Sequence, residues 1–233
     1  MTTKANSKFT KNLEDCLKNH ISNEWMIILK NLTESLKFKK GDAIFKEGDS
    51  VKGVYFINSG KVKVVSNYEN DENRILRLSH GGHFLGHRAL TSKTYPISAF
   101  ALTDVSITFI PMDIFHKLIK NNPDFAIFIL EFTISDLRDS EFRMKAMIHS
   151  DVIVRIAIVL CMLIDSYGYS EDIPNQLHFT LPRYDIANMA GTTYESVIRN
   201  LAKLESMKVI KLVGKNIVIT KEKELRKIAL NKL

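Results

Sequence analysis

The spacing of apolar residues changes several times along this chain. From about Phe9 to Leu36, Leu13, Leu17, Ile21, Ile28, Leu29 and Leu32 recur near a helical period, which predicts helix. From Phe38 to Pro111 the runs shorten to AIFKEGD, GVYFINSG, KVKVVSNYENDEN, RILRLSHGG, ISAFALTD and VSITFIP, divided by glycines such as Gly48, Gly60 and Gly82. Many short β-rich runs with regular turns predict a sandwich or barrel-like roll. Helical spacing returns at about Met112. There Ile127, Leu130, Ile134, Leu137, Glu141, Met144 and Ile148 alternate spacings of three and four. This is a heptad seam interrupted once, at Glu141, and a long helix carrying one needs a partner, most simply a second copy in a parallel two-fold dimer. Phe125, Phe128 and Phe132 fall on another face, suited to packing on the β-domain. His149-Ser150-Asp151 ends the seam and reads as a hinge, with Asp151 the N-cap of a helix from Val152 to Tyr167.

The last part of the chain holds two short helices, a tight turn and a hairpin. Ile186, Met189 and Ala190 make an apolar stripe, and Gly191 supplies a turn that tolerates positive φ. Thr192 or Thr193 can cap the second helix, with Glu195 in its first turn, where a carboxylate suits the helix dipole. Val197, Leu201 and Leu204 form its buried face, while Tyr194, Glu195, Ser196, Arg199, Asn200 and Lys203 line the other. A stripe of hydrogen-bonding and cationic groups just after a turn is what major-groove reading requires, although an ordinary helical pair with a solvated face has the same geometry. The hairpin (Val209 to Leu212, turn at Gly214-Lys215-Asn216, Ile217 to Ile219) resembles a wing and favours DNA.

Charge sharpens this reading. The chain of 233 residues carries a net charge of +7. Between Arg183 and Lys227 there are ten Lys/Arg against five Asp/Glu, whereas Asp151 to Pro182 has one Arg against four acids. The basic excess thus falls on the helical pair and wing, where phosphates would lie. With 45% apolar residues there is material for real cores. No run of about 18 uncharged apolar residues predicts a membrane span, and the first residues lack an apolar signal core, so a cytoplasmic protein with no membrane partner is expected. Two cysteines, Cys16 and Cys161, lie far apart among apolar neighbours and read as buried inert thiols. They exclude a four-cysteine iron–sulfur or zinc site within the chain.

In order and spacing, KKGDAIFKEGD, VYFINSGKVKV, GGHFLGHRAL, PISAFALTD, SDVIVRIAIVL and IANMAGTTYESVIRNLAKLE resemble the Crp/Fnr regulators, the cyclic-AMP receptor protein family, over roughly Phe38 to Ile219. The resemblance implies an α+β fold: an N-terminal helix and cyclic-nucleotide-binding-like β-roll (1–123), a dimerisation helix and hinge (124–150), and a winged helix-turn-helix (151–233). It implies a homodimeric transcription regulator that binds double-stranded DNA at an inverted repeat through a recognition helix at about 193–207, with RNA polymerase as a further partner. Glu195 and Arg199 match the family's base-reading pair. They stand four apart, so both project from one helix face, and an ion pair between them could hold Arg199 in place. Arg199 can take guanine O6 and N7 in a fork, and Glu195 can accept from cytosine N4. Tyr194 stands where the cyclic-AMP type often has Arg, which leaves the outer base open. Arg183 matches a phosphate contact, with Lys203, Lys211 and Lys215 as phosphate neighbours.

The family's effector loop corresponds to FLGHRALTSKTYPISA. Gly86 is kept, but His87 replaces the glutamate that holds the ribose, and Ile97 replaces the arginine before Ser98 that holds the phosphate. A buried phosphate without its cation is costly, so dependence on cyclic AMP is not expected; Arg88 could supply a charge only from another direction. His80, His83 and His87 lie within eight residues and are the positions a haem iron could use, as haem-binding relatives exist, but they read more simply as surface loop histidines. No cofactor is otherwise indicated. An alternative function is a haem- or small-molecule-sensing protein that acts through a partner rather than DNA. No nucleophile–base pairing or acid pair points to an enzyme.

Overall fold

The computed structural model describes residues 12–67 and 73–230. The chain divides into two compact units, Met1–Arg138 and Asp139–Leu233. The first unit opens with helices α1 (Leu13–Leu17) and α2 (Asn23–Leu32), capped by Asn12 and Ser22 side chains that accept from Glu14 and Trp25 backbone N–H groups. This corrects the single helix expected to Leu36. Thr33 leaves helical geometry, and β1 (Glu34–Phe38) pairs antiparallel with a later strand, β8 (Val105–Pro111). A helical spacing of leucines over so short a segment does not distinguish a helix end from a strand start, and pairing decides it. Phe9, where that helix was expected to begin, lies outside the described residues.

Between β1 and β8 run β2 (Ala43–Phe45), β3 (Gly53–Ser59), β4 (Lys61–Asn67), β5 (Asn73–His80), β6 (Phe84–Leu85) and β7 (Ser98–Ala101). They form two four-stranded sheets, ordered β1-β8-β3-β6 and β2-β7-β4-β5. Strand β3 shows why the roll has two cores. Its side chains alternate, so Tyr55 and Ile57 enter the space between the sheets while Val54 and Phe56 face outward under the helices. The outer core joins Leu17, Phe56, Phe84, Ile110, Phe115 and Phe125, drawn from α1, the sheet, α3 (Met112–Asn121) and α4 (Pro123–His149). As the sequence suggested, Phe125, Phe128 and Phe132 pack inward, with Phe84 at ring-centroid distances of 6.5, 6.3 and 6.0 Å from them.

In the second unit α5 (Val152–Tyr167) is almost wholly apolar and supplies the core, burying Ile156, Leu160 and Leu163 completely. Asp151 holds its N-cap position in extended geometry, without a side-chain capping hydrogen bond. The helices α6 (Arg183–Ala190) and α7 (Tyr194–Ser206), the hairpin β9 (Ile210–Val213) and β10 (Asn216–Ile219), and α8 (Glu222–Leu230) complete it. Residues 176–177 add a short third edge to the hairpin, with Leu177 N–H donating to the Ile217 carbonyl at 3.0 Å.

Candidate nucleic-acid interface and effector site

The α6–α7 pair is built by local chemistry. Ile186, Ala187 and Ala190 bury one face of α6; Met189, expected among them, is only half-buried. Gly191 then adopts φ 57° and ψ 51°, left-handed geometry that costs glycine nothing, and ends the helix. Thr193 is the N-cap of α7, its hydroxyl accepting from Ser196 N–H at 3.2 Å. Val197, Leu201 and Leu204 are buried, which turns Tyr194, Glu195, Arg199 and Lys203 to the exposed side. Glu195 and Arg199 form no ion pair with each other, so both side chains are open to a ligand.

Other expected contact residues are more constrained. Thr193 is engaged as the cap, Thr192 and Ser196 are half-buried, and Asn200 Nδ2 donates to the Ser196 carbonyl at 2.8 Å. Arg183 opens α6 and is half-buried; burial draws its guanidinium below the ordinary value, and Tyr194 opposes that shift. Lys215 stands exposed in the hairpin turn, and Lys211 on β9. The hairpin is fixed to α7 by Glu205, whose carboxylate accepts from Leu212 N–H at 2.7 Å.

Three further residues shape this surface. Arg155 on α5 donates to the carbonyls of Ala190, Gly191 and Ser150 at 2.7, 3.3 and 2.9 Å, so a cation satisfies the end of α6 and holds the turn. Tyr184 lays its ring against Tyr194, centroids 4.7 Å apart. Ile198, one turn after Tyr194, is exposed. A lone arginine inside an apolar helix was a legible signal for the first; nothing in the spacing indicated the tyrosine contact.

In the first unit, the five effector-loop candidates do not converge on one pocket. Ile97 belongs to the core between the sheets. Ser98 is buried and its hydroxyl accepts from Glu47 N–H at 2.8 Å. Gly86 has φ 80°, and a Cβ there would meet the Gly53 carbonyl and the Tyr95 ring, each at 3.1 Å. The space between the sheets is filled by Phe45, Tyr55 and Tyr95, with the Phe45 and Tyr95 rings stacked at 4.3 Å. The Tyr95 hydroxyl donates to the Gly53 carbonyl at 2.8 Å and accepts from Lys52 and Gly53 N–H at 3.2 Å. His87 and Arg88 instead face Asp136 on α4, at 3.7 and 3.5 Å, beside the closer Arg77–Asp136 ion pair at 2.5 Å.

The histidines are not on the roll surface. His87 is buried and His80 and His83 are half-buried, which corrects the expectation of surface loop residues. Burial, reinforced by Arg77 and Arg88, pushes His87 down to about 3, and burial lowers His83 well below the usual imidazole value. Phe132 stands edge-on to both rings, at 5.7 Å from His83 and 5.2 Å from His87.

Residues 35–122 match the cyclic nucleotide-binding domain family, and residues 154–228 match the Crp-like helix-turn-helix domain family. The chain belongs to the Crp/Fnr family. Within it, the chain is 27% identical over 205 residues to the anaerobic regulatory protein of Haemophilus influenzae, covering 88% of this chain and 80% of that protein. It is 25% identical to the transcriptional activator protein Anr of Pseudomonas protegens, covering 78% and 74%. The fold is shared with FixK2 of Bradyrhizobium japonicum, at a TM-score of 0.75 and 19% identity over 84% of this chain and 96% of that one. It is also shared with a CooA variant of Carboxydothermus hydrogenoformans, at a TM-score of 0.74 and 19% identity over 94% and 95%. The Crp/Fnr chain is therefore a DNA-binding transcriptional regulator. Among its described residues no helix is long and apolar enough to cross a membrane.

Proposed function

We propose that this Crp/Fnr chain acts as a cytoplasmic homodimer that reads an inverted repeat through α7, without dependence on cyclic AMP, and acts on transcription through RNA polymerase. One observation carries the reading of sequence: Glu195 and Arg199 stand exposed on the outer face of α7, without an ion pair among the described residues, beside the cationic hairpin. Arg199 forks to guanine O6 and N7 and Glu195 accepts from cytosine N4. Lys203, Lys211 and Lys215 contact phosphate. The exposed seam of α4 supports the dimer. Ile127, Leu130 and Leu137 are each more than half exposed, a spacing of apolar groups that a single chain leaves in water.

The filled roll supports independence from cyclic nucleotide. A purine ribose phosphate would have to displace the Phe45–Tyr95 stack and would find Ile97 where it needs a cation. Selection of bound duplexes from randomised DNA tests the first part: an inverted repeat with half-site centres about one helical turn apart is expected, and recovery of no motif would remove it. Titration calorimetry tests the second. Heat from micromolar or tighter cyclic-AMP binding would overturn it.

A further inference from the structure

A surface that reads phosphates and base edges is expected to be polar, yet three apolar bodies stand on the outer face of the α6–α7 pair. Tyr184 is 73% exposed, Ile198 43% and Tyr194 36%. Tyr194 and Ile198 are four residues apart on α7 and share one stripe. Glu195 and Arg199 form the adjoining stripe by the same spacing. The two stripes run side by side, so whatever base step meets Glu195 and Arg199 brings its neighbour against Tyr194 and Ile198.

The tyrosine is held. Tyr184, in the first turn of α6, lies against the Tyr194 ring with centroids 4.7 Å apart and planes 31° apart. A ring backed by another ring is limited in its rotamers before any partner arrives, so less ordering is lost on contact. The major groove offers one apolar target, the C5-methyl group of thymine. We propose that Tyr194 and Ile198 read a thymine methyl next to the G·C pair taken by Glu195 and Arg199, with Tyr184 as the residue that positions Tyr194. This rests on the reading of α7 as the DNA-contacting helix. It assigns the outer position of the half-site, where arginine would have favoured G·C, to T·A.

The test uses the full chain and duplexes bearing its selected repeat. Thymine beside the G·C pair is replaced by deoxyuridine in both half-sites, which removes only the methyl group. Wild-type affinity by fluorescence anisotropy is expected to fall about threefold to fourfold per methyl lost. Ile198→Ala and Tyr194→Ala should bind the two duplexes alike while still preferring G·C at the adjoining pair. Tyr194→Phe and Tyr184→Phe should keep the discrimination, because the ring and not the hydroxyl makes the contact; Tyr184→Ala should weaken it. The proposal is overturned by a wild type indifferent to deoxyuridine, by a selected repeat without thymine at those positions, or by loss of discrimination in Tyr194→Phe, which would make the hydroxyl on a phosphate the true contact. Each of those results leaves α7 as the DNA-contacting helix. Failure to select any repeat removes the reading on which the proposal rests.

Discussion

Arg155 Nε donates to the Ala190 carbonyl at 2.7 Å, tying the core helix α5 to the last turn of α6. The same guanidinium reaches Gly191 and Ser150, so one side chain satisfies three carbonyls that the helix ends leave open. Arg155→Ala should destabilise the second unit by about 2–3 kcal/mol, since hydrogen bonds from a charged donor are each worth about 1.5–3 kcal/mol and water recovers part of the loss. Arg155→Lys should recover little, because a point charge cannot fork across the turn. Urea unfolding followed by far-UV circular dichroism gives the comparison; equal midpoints for wild type and Arg155→Ala would refute the role.

The exposed α4 seam is expected to set the assembly. Ile134 is 41% exposed and Leu137 55%, both on the helix face turned away from Phe125 and Phe132. Aspartate at both positions would bury unpaired charges in a two-helix seam, and removing a charge from water without a partner costs several kcal/mol. The Ile134→Asp, Leu137→Asp double variant is expected to sediment as a monomer with its β-roll intact. Sedimentation as a dimer would take this helix out of the interface.

The buried imidazoles make the first unit sensitive to acid. Above about pH 6.5 a histidine is neutral whether the chain is folded or not, and His87 costs nothing. Below that the unfolded chain takes up a proton that folded His87, held down to about 3, refuses. Stability therefore falls as pH falls, by about 2 kcal/mol between pH 6.5 and 5 for one such group. His83, shifted in the same direction, adds to the slope. Unfolding midpoints at pH 7.5 and pH 5 should separate strongly for wild type and clearly less for His87→Gln. Parallel losses in both proteins would show that His87 is protonated in the folded state.

Local chemistry made much of this fold legible. Gly191, the Thr193 cap and the Val197–Leu201–Leu204 stripe mark α6 and α7, because turn, cap and period agree within a few residues. The seam on α4 and the inward phenylalanines were equally plain, since one helix displays two faces at fixed spacing. What escaped was long-range. Leu36 sits in a strand because β8 pairs with it through Ile107, far along the chain. The effector loop is one contiguous stretch of sequence, but its side chains diverge: Ile97 and Ser98 into the roll, His87 and Arg88 toward Asp136. An acid on the phenylalanine face of α4 was the only signal for that cluster. Tyr95, which fills the roll with Phe45, carried none.

Base reading and phosphate contact should separate cleanly in two single variants. Arg199 projects beside Glu195 from the outer face of α7, while Lys215 stands exposed in the hairpin turn. A guanidinium fork on guanine discriminates one base pair and is worth about 1–3 kcal/mol per half-site, so Arg199→Ala should weaken the selected repeat by that amount and relax the preference at that pair alone. A lysine that reaches only phosphate carries no sequence information. Lys215→Ala should weaken every duplex alike and lower the slope of log affinity against log salt by about 1. Selection from randomised duplexes, with affinities repeated at several salt concentrations, reads both effects. If Arg199→Ala returns the wild-type motif while Lys215→Ala returns a different one, α7 is not the helix that reads the bases, even in a protein that binds DNA tightly.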